Sequence, residues 1–189
     1  MGFYHEIAFL GVPLYPPDMS ELEDDWSRMI ASALEAARGS GRGDVADYLS
    51  LRASNDAIRR AGVKWLIETL AGLAAEVLWR DSSATIERID PHSFSFLGAN
   101  IVGTRLEIRR GVRCLAAEAG WTRTPTDGFM RGGALAIGRL SHFGMPKANV
   151  DLGLTRDGDI VDWVVLEEGR ASGPFDKGEL MRHVSIFIA

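Results

Sequence analysis

Apolar residues recur at intervals of three and four through roughly the first eighty positions, then at intervals of two, so the chain predicts helices followed by sheet. Leu22, Trp26, Met29, Ile30, Ala33 and Ala37 form the first stripe. Ser20 and Glu23 have the spacing of a capping box, in which the hydroxyl accepts from the third helical amide and the carboxylate reaches back to the cap amide. A helix over 21–38 follows, with Gly39 as its left-handed terminator. A short helix is expected over 45–51, after which Ser54 or Asn55 caps a longer one reaching Trp79. The apolar stripe of the longer helix is Ile58, Val63, Leu66, Ile67, Leu70, Leu73, Ala74, Val77 and Leu78. Arg59, Arg60, Lys64 and Glu68 fall on the other side and read as a solvated face. Ala71-Gly72 inside this helix predicts close approach of another backbone, because glycine there otherwise costs about 1 kcal/mol against alanine.

After Asp81 the pattern changes to alternation, with turn residues between the runs, as in an antiparallel meander. Strands are expected over 84–89 and 101–109, with Arg110-Gly111 turning into a third over 112–119. Pairing 109 with 112 places Val102, Leu106, Ile108, Leu115, Ala117 and Ala119 on one face, and Arg105, Glu107, Arg109, Cys114 and Glu118 on the other. Another strand is expected over 133–143. Asp157-Gly158, a pair suited to a type I′ turn, then predicts a hairpin with 156 opposite 159. In that register Val150, Leu152, Leu154, Val161, Trp163 and Val165 share an apolar face, and Asp151 and Asp162 come near each other on the opposite one. FYHEIAFL at 3–10 reads as a first strand closed by the proline-rich turn 13–17. Asp176 to Arg182 reads as a helical turn, and the tail HVSIFIA as a strand that could pair with the N-terminus. The expected fold is a single α+β domain over 1–189. N-terminal helices, within about 18–80, pack on one face of a five- or six-stranded, mainly antiparallel meander over about 84–189.

Composition narrows the class without choosing a function. With 46% hydrophobic and 25% charged residues, the 189-residue chain has the make-up of a globular protein, and no run of about 18 apolar residues suggests a membrane span. The lone Cys114 can form no intramolecular disulfide and excludes cysteine-based zinc sites. Together with an N-terminus that lacks a basic region and a long apolar run, it makes the cytoplasm the expected location. The net charge of −5 is unevenly spread: residues 104–150 carry 8 basic and 3 acidic side chains between acidic flanks. Arginine is the better fork for carboxylate or phosphate. However, the chain as a whole has 18 Arg against 3 Lys, so the preference reflects general composition.

The loop WTRTPTDGFMRGG at 121–133 is the best local candidate for function, being long for a hairpin connection. Trp121, Arg123, Asp127, Arg131 and its glycine amides form a set able to cradle a carboxylate or phosphate. The plainer reading is structural: Asp127 pairs with either arginine while Phe129 and Met130 fold back as an anchor. Arg105 and Arg109 extend the candidate surface onto the polar sheet face, where alternation with Glu107 and Glu118 also reads as self-satisfied ion pairing.

A non-catalytic binding or accessory protein is therefore expected, engaging an acidic protein partner or small anionic ligand through Arg105, Arg109, Trp121, Arg123, Asp127 and Arg131. Two alternatives stay open. One is a small enzyme or ligand-binding domain with a pocket between helices and sheet, lined by Phe94, Phe96 and Trp163. The other is nucleic-acid binding, against which stands a pI of 5.4. No catalytic motif is present, and neither a metal nor a cofactor is expected. Cys114 with His142, oriented by Asp151, has the chemistry of a nucleophile and base; a packing cysteine is the commoner case. Five tryptophans suggest either a homodimer through Trp65 and Trp79 on the long helix or rings that cap the core against loops.

Overall fold

A computed structural model of the chain describes residues 19–189, with side chains from residue 24 onward except that of Arg131. Two helices come first, α1 (Met19–Gly39) and α2 (Gly43–Leu78). Seven strands follow: β1 (Ala84–Phe96), β2 (Ala99–Arg110), β3 (Arg113–Trp121), β4 (Ala136–His142), β5 (Val150–Asp157), β6 (Ile160–Glu167) and β7 (Arg170–Pro174). A last helix, α3 (Lys177–Ile188), closes the chain. Every strand pairs antiparallel with its sequence neighbour, giving the order β1-β2-β3-β4-β5-β6-β7. The fold is α+β, as the pattern predicts, with seven strands in place of five or six.

α1 ends in a Schellman motif whose left-handed residue is Gly41 (φ 73°), two positions beyond the glycine expected. The Arg42 amide donates to the Ala37 carbonyl and the Gly41 amide to that of Arg38, at 3.0 and 3.2 Å. α2 then runs unbroken for 36 residues, so the expected short helix and the caps at Ser54 or Asn55 are merged into it. The reason is tertiary: Ala53, Asp56 and Arg60 lie against Trp26, Ile30 and Leu34 of α1, and that contact outweighs a local cap signal. The expected strand at 3–10 and proline turn at 13–17 lie outside the described residues. So do the side chains of Ser20 and Glu23, although Ser20 itself lies within α1.

The main core joins Val63, Leu66, Ile67, Leu70, Leu73 and Ala74 of α2 to Leu106, Ile108, Leu115, Ala117, Leu140, Leu152, Leu154 and Trp163 of the sheet. By register these strand residues all belong to one face, where Leu106 opposes Ala117, Ala117 opposes Leu140, and Leu154 opposes Trp163. A smaller cluster of Phe94, Phe96, Ile101, Ala134 and Ile137 sits on the other face. Close approach of α2 to the sheet occurs at Gly62 rather than Gly72. A Cβ on Gly62 would meet Leu154 Cδ2 at 2.5 Å, whereas nothing lies within 4 Å of one on Gly72.

Both expected hairpins form with their turns moved by one residue, Arg110 pairing with Arg113 and Asp157 with Ile160. Each shift moves the partners by two, and because side chains alternate with period two the two faces keep their composition. β1 continues past residue 89 to Phe96 through a register shift between Ile89 and His92. β7 is a short edge strand reached through Glu168-Gly169, both at positive φ, in place of the asparagine or aspartate that announces such turns. The C-terminal tail is helical, not a strand. Leu180, His183, Val184 and Phe187 recur at helical spacing into the core, and the Asp176 carboxylate accepts from the Glu179 amide as N-cap.

Candidate anion-binding cleft

One stripe of α2, Arg52, Asp56, Arg59 and Arg60, advances by four, three and one residues and therefore occupies one side of the helix. It faces the end of β3 and the segment Trp121–Thr124, with Trp26 of α1 at the other end, around a cleft of about 400 Å³. Four arginines, Arg52, Arg59, Arg60 and Arg123, line it, and among the described residues the carboxylate beside them is that of Asp56. Two of them lie over indole rings: Arg52 Cζ is 4.7 Å from the centroid of Trp26 and Arg123 Cζ 3.7 Å from that of Trp121. Arg59 is fixed from both sides, by the Asp56 carboxylate at 2.7 Å and the Leu135 carbonyl at 2.9 Å. Arg60 donates to Ser27 Oγ at 2.7 Å, and the Trp26 indole nitrogen donates to Asp56 at 3.3 Å. Each group is oriented by a neighbour, a preorganisation that lowers the entropic cost of receiving a ligand.

The sequence candidates divide between this cleft and two other places. Trp121 and Arg123 line the cleft. Arg105 and Arg109 lie on the sheet face turned away from the main core, where Arg105 bonds both Glu107 and Glu118, and Arg109 bonds Glu107. His92 also reaches Glu118, at 2.8 Å. Glu107 and Glu118 are buried, and hydrogen bonds from Arg105 and Arg109 hold the Glu107 carboxyl below its ordinary range. Alternating charges on this face satisfy one another, and Arg139 likewise binds Asp151 at 2.7 Å. Asp162 stands opposite Thr155, away from Asp151, so the expected carboxylate neighbours do not meet.

Asp127 organises the 121–133 loop. It accepts from the amides of Arg123 and Thr124, the Thr124 hydroxyl and the Asn100 amide at 2.8–3.1 Å. The Asn100 bond, followed by those from Thr124, lowers its pKa to about 2. Among the described residues it forms no ion pair, taking the backbone amide of Arg123 rather than its guanidinium; the side chain of Arg131, the other partner considered from sequence, lies outside the described residues. Phe129 is exposed and anchors nothing, whereas Met130 packs against both core clusters. The backbone of Arg131 lies in a 3₁₀ turn; its side chain lies outside the described residues.

Arg59 and Arg60 are the residues that sequence reading assigned to solvent. Their signal was the Arg52, Arg59, Arg60 spacing, but only the fold shows that this stripe meets Trp121 and Arg123. Cys114 and His142 fall on opposite faces of the sheet, Cys114 beside Arg109 and His142 bonded to His183 at 2.9 Å in the core. Burial raises the Cys114 pKa, which disfavours the thiolate. Phe94 and Phe96 lie on the face opposite Trp163, so the three do not share one pocket. No group of three or more His, Cys, Asp or Glu among the described residues is arranged to hold a metal, and no helix among them is long and apolar enough to cross a membrane. No protein-family model, curated protein or solved structure matches the chain.

Proposed function

We propose that this is a non-catalytic binding protein that receives an anionic group, from an acidic partner or a small ligand, in the cleft between α2 and Trp121–Thr124. The observation that carries this reading is the convergence of Arg52, Arg59, Arg60 and Arg123 on one cleft walled by the indoles of Trp26 and Trp121. Guanidinium forks suit phosphate and carboxylate oxygens, and the adjoining indoles supply a flat apolar wall. The sheet-face arginines support the fold instead, since Glu107 and Glu118 already occupy them.

Pyrophosphate serves as the probe, titrated calorimetrically into the full chain at low ionic strength. The double variant Arg52→Ala/Arg123→Ala is expected to weaken binding by at least about tenfold, about 1.4 kcal/mol, with an unchanged far-UV spectrum. Arg109→Ala, which removes a partly exposed cation from the sheet face, is expected to leave the affinity within about twofold. Equal affinity in the cleft double variant and the parent would show that the cleft is not the site.

A further inference from the structure

Of the four arginines in the cleft, Arg52 is the one whose surroundings describe a ligand. Arg59 is paired with the Asp56 carboxylate, and Arg60 is turned toward Ser27. Arg52 is partly buried, makes no hydrogen bond or ion pair with the described residues, and lies over the Trp26 indole with its Cζ 4.7 Å from the ring centroid. A guanidinium seated on an aromatic ring has its plane fixed, while its N–H edge stays available to oxygen acceptors. The Trp26 ring itself remains 37% exposed. Farther along the cleft, Val102 and Trp121 are opposite each other in the β2–β3 register, on the face of the sheet that α2 covers. Arg123 lies over Trp121, its Cζ 3.7 Å from the ring centroid. The cleft is therefore built from flat surfaces, indole and guanidinium, as well as from cationic edges.

Resting on the anion-binding function proposed above, we infer that the ligand is a small aromatic anion of the aryl phosphate class. Its oxygens meet the N–H edge of Arg52, and its ring lies against the indole and guanidinium planes. An inorganic anion or an acidic side chain uses the edges alone and leaves the flat walls in contact with water. A neutral aromatic compound uses the walls and leaves Arg52 without an acceptor. The volume of about 400 Å³ falls within the range of about 300–1,000 Å³ that small-molecule sites occupy.

The test titrates the full chain by calorimetry at pH 8, where the phosphates carry about two negative charges, with inorganic phosphate, phenyl phosphate, cyclohexyl phosphate and hexaglutamate. Phenyl phosphate is expected to bind one-to-one, at least about tenfold more tightly than inorganic phosphate and at least about threefold more tightly than cyclohexyl phosphate, whose ring is not flat. Trp26→Leu keeps an apolar side chain at an exposed position and should bring the two esters to within about twofold of each other. Arg52→Gln should weaken both esters by at least about tenfold. An unchanged thermal midpoint in each variant controls for folding. Pyrophosphate separates the aromatic ligand from the anion site on which it rests. If pyrophosphate binds, and loses affinity in Arg52→Ala/Arg123→Ala, while phenyl phosphate binds no more tightly than inorganic phosphate, the cleft takes anions without regard to a ring, which overturns the inference and leaves the anion site standing. If neither pyrophosphate nor phenyl phosphate binds up to about 10 mM, both are overturned. A preference for the aromatic ester that survives Trp26→Leu would also overturn the inference, as would tighter binding of hexaglutamate than of phenyl phosphate, which would give the cleft to an acidic protein partner.

Discussion

At the scale of single residues, the most unusual pair is His142 and His183. They lie 3% and 1% exposed, with Nε2 of the first 2.9 Å from Nδ1 of the second and ring centroids 5.2 Å apart. One nitrogen donates and the other accepts. The outer nitrogens, His142 Nδ1 and His183 Nε2, have no hydrogen-bond partner among the described residues. Burial disfavours the charged form of both. It lowers His142, with Arg182 adding to the effect, and takes His183 down to about 4, with His142 and Arg182 adding and Glu179 opposing. Because the folded pKa lies below the unfolded value near 6.5, the unfolded chain binds protons first as pH falls. Stability is therefore fully present above pH 6.5 and is lost progressively toward pH 4, by roughly 2–4 kcal/mol for His183. Urea unfolding at pH 7.5 and 5.5 should show about 1 kcal/mol of this loss in the parent, the rest falling below pH 5.5, and far less in His142→Phe/His183→Leu. The same acid loss in the double variant would assign it elsewhere. Sequence reading considered His142 with Cys114 because it could not see that the tail 183–189, taken for a strand, continues α3 and brings His183 against His142 in the core.

Among the elements, the sheet was legible wherever alternation was strict. The Leu106–Ile108 and Leu115–Ala119 faces were assigned correctly even though the turn was misplaced by one residue, because a shift of two in pairing preserves parity. Boundaries set by tertiary contact were not legible. The caps at Ser54 and Asn55 lost to packing against α1, and the alternating tail became helical once Leu180, Val184 and Phe187 had a core to enter. Glycine roles show the same limit. Gly72 looked like a close contact and has open space, whereas Gly103 and Gly120, paired across β2 and β3, are pressed together. A Cβ on Gly103 would lie 2.0 Å from the Ala119 carbonyl oxygen, and one on Gly120 2.4 Å from that of Val102. Backbone cannot yield as a flexible side chain does, so Gly103→Ala and Gly120→Ala should each destabilise the fold by about 2–4 kcal/mol. Gly72→Ala should instead stabilise it by about 0.5–1 kcal/mol through helix propensity. Thermal unfolding of the three variants checks the pattern; a midpoint raised by either sheet substitution would contradict the packing described.

For the molecule as a whole, the distribution of charge matters more than its sum. A net charge of −5 and the pI of 5.4 argue against a general attraction for polyanions, although residues 104–150 form a basic island in the sequence. The fold then divides that island. Glu107, Glu118 and Asp151 neutralise Arg105, Arg109 and Arg139 on the sheet, while Arg123 joins three arginines from a helix about seventy residues earlier in the chain. That junction joins a loop to a helix across the sequence, and no local pattern encodes it. It sets an expectation for nucleic acid bound at this cleft, where four arginines among the described residues stand together. Each phosphate neutralised on a single strand contributes about −0.7 to the slope of log affinity against log salt, so the slope should be no steeper than about −3. Fluorescence anisotropy with a labelled single-stranded oligonucleotide from about 25 to 200 mM salt measures it. Arg52→Ala/Arg123→Ala should flatten the slope by about half, whereas Arg105→Ala should lower stability without flattening it, because it leaves the buried Glu107 and Glu118 short of a partner. A slope near −6, or one that Arg105→Ala flattens, would mean that the sheet-face arginines leave their carboxylates to bind phosphate, and the division of the island into a structural part and a binding part would fail.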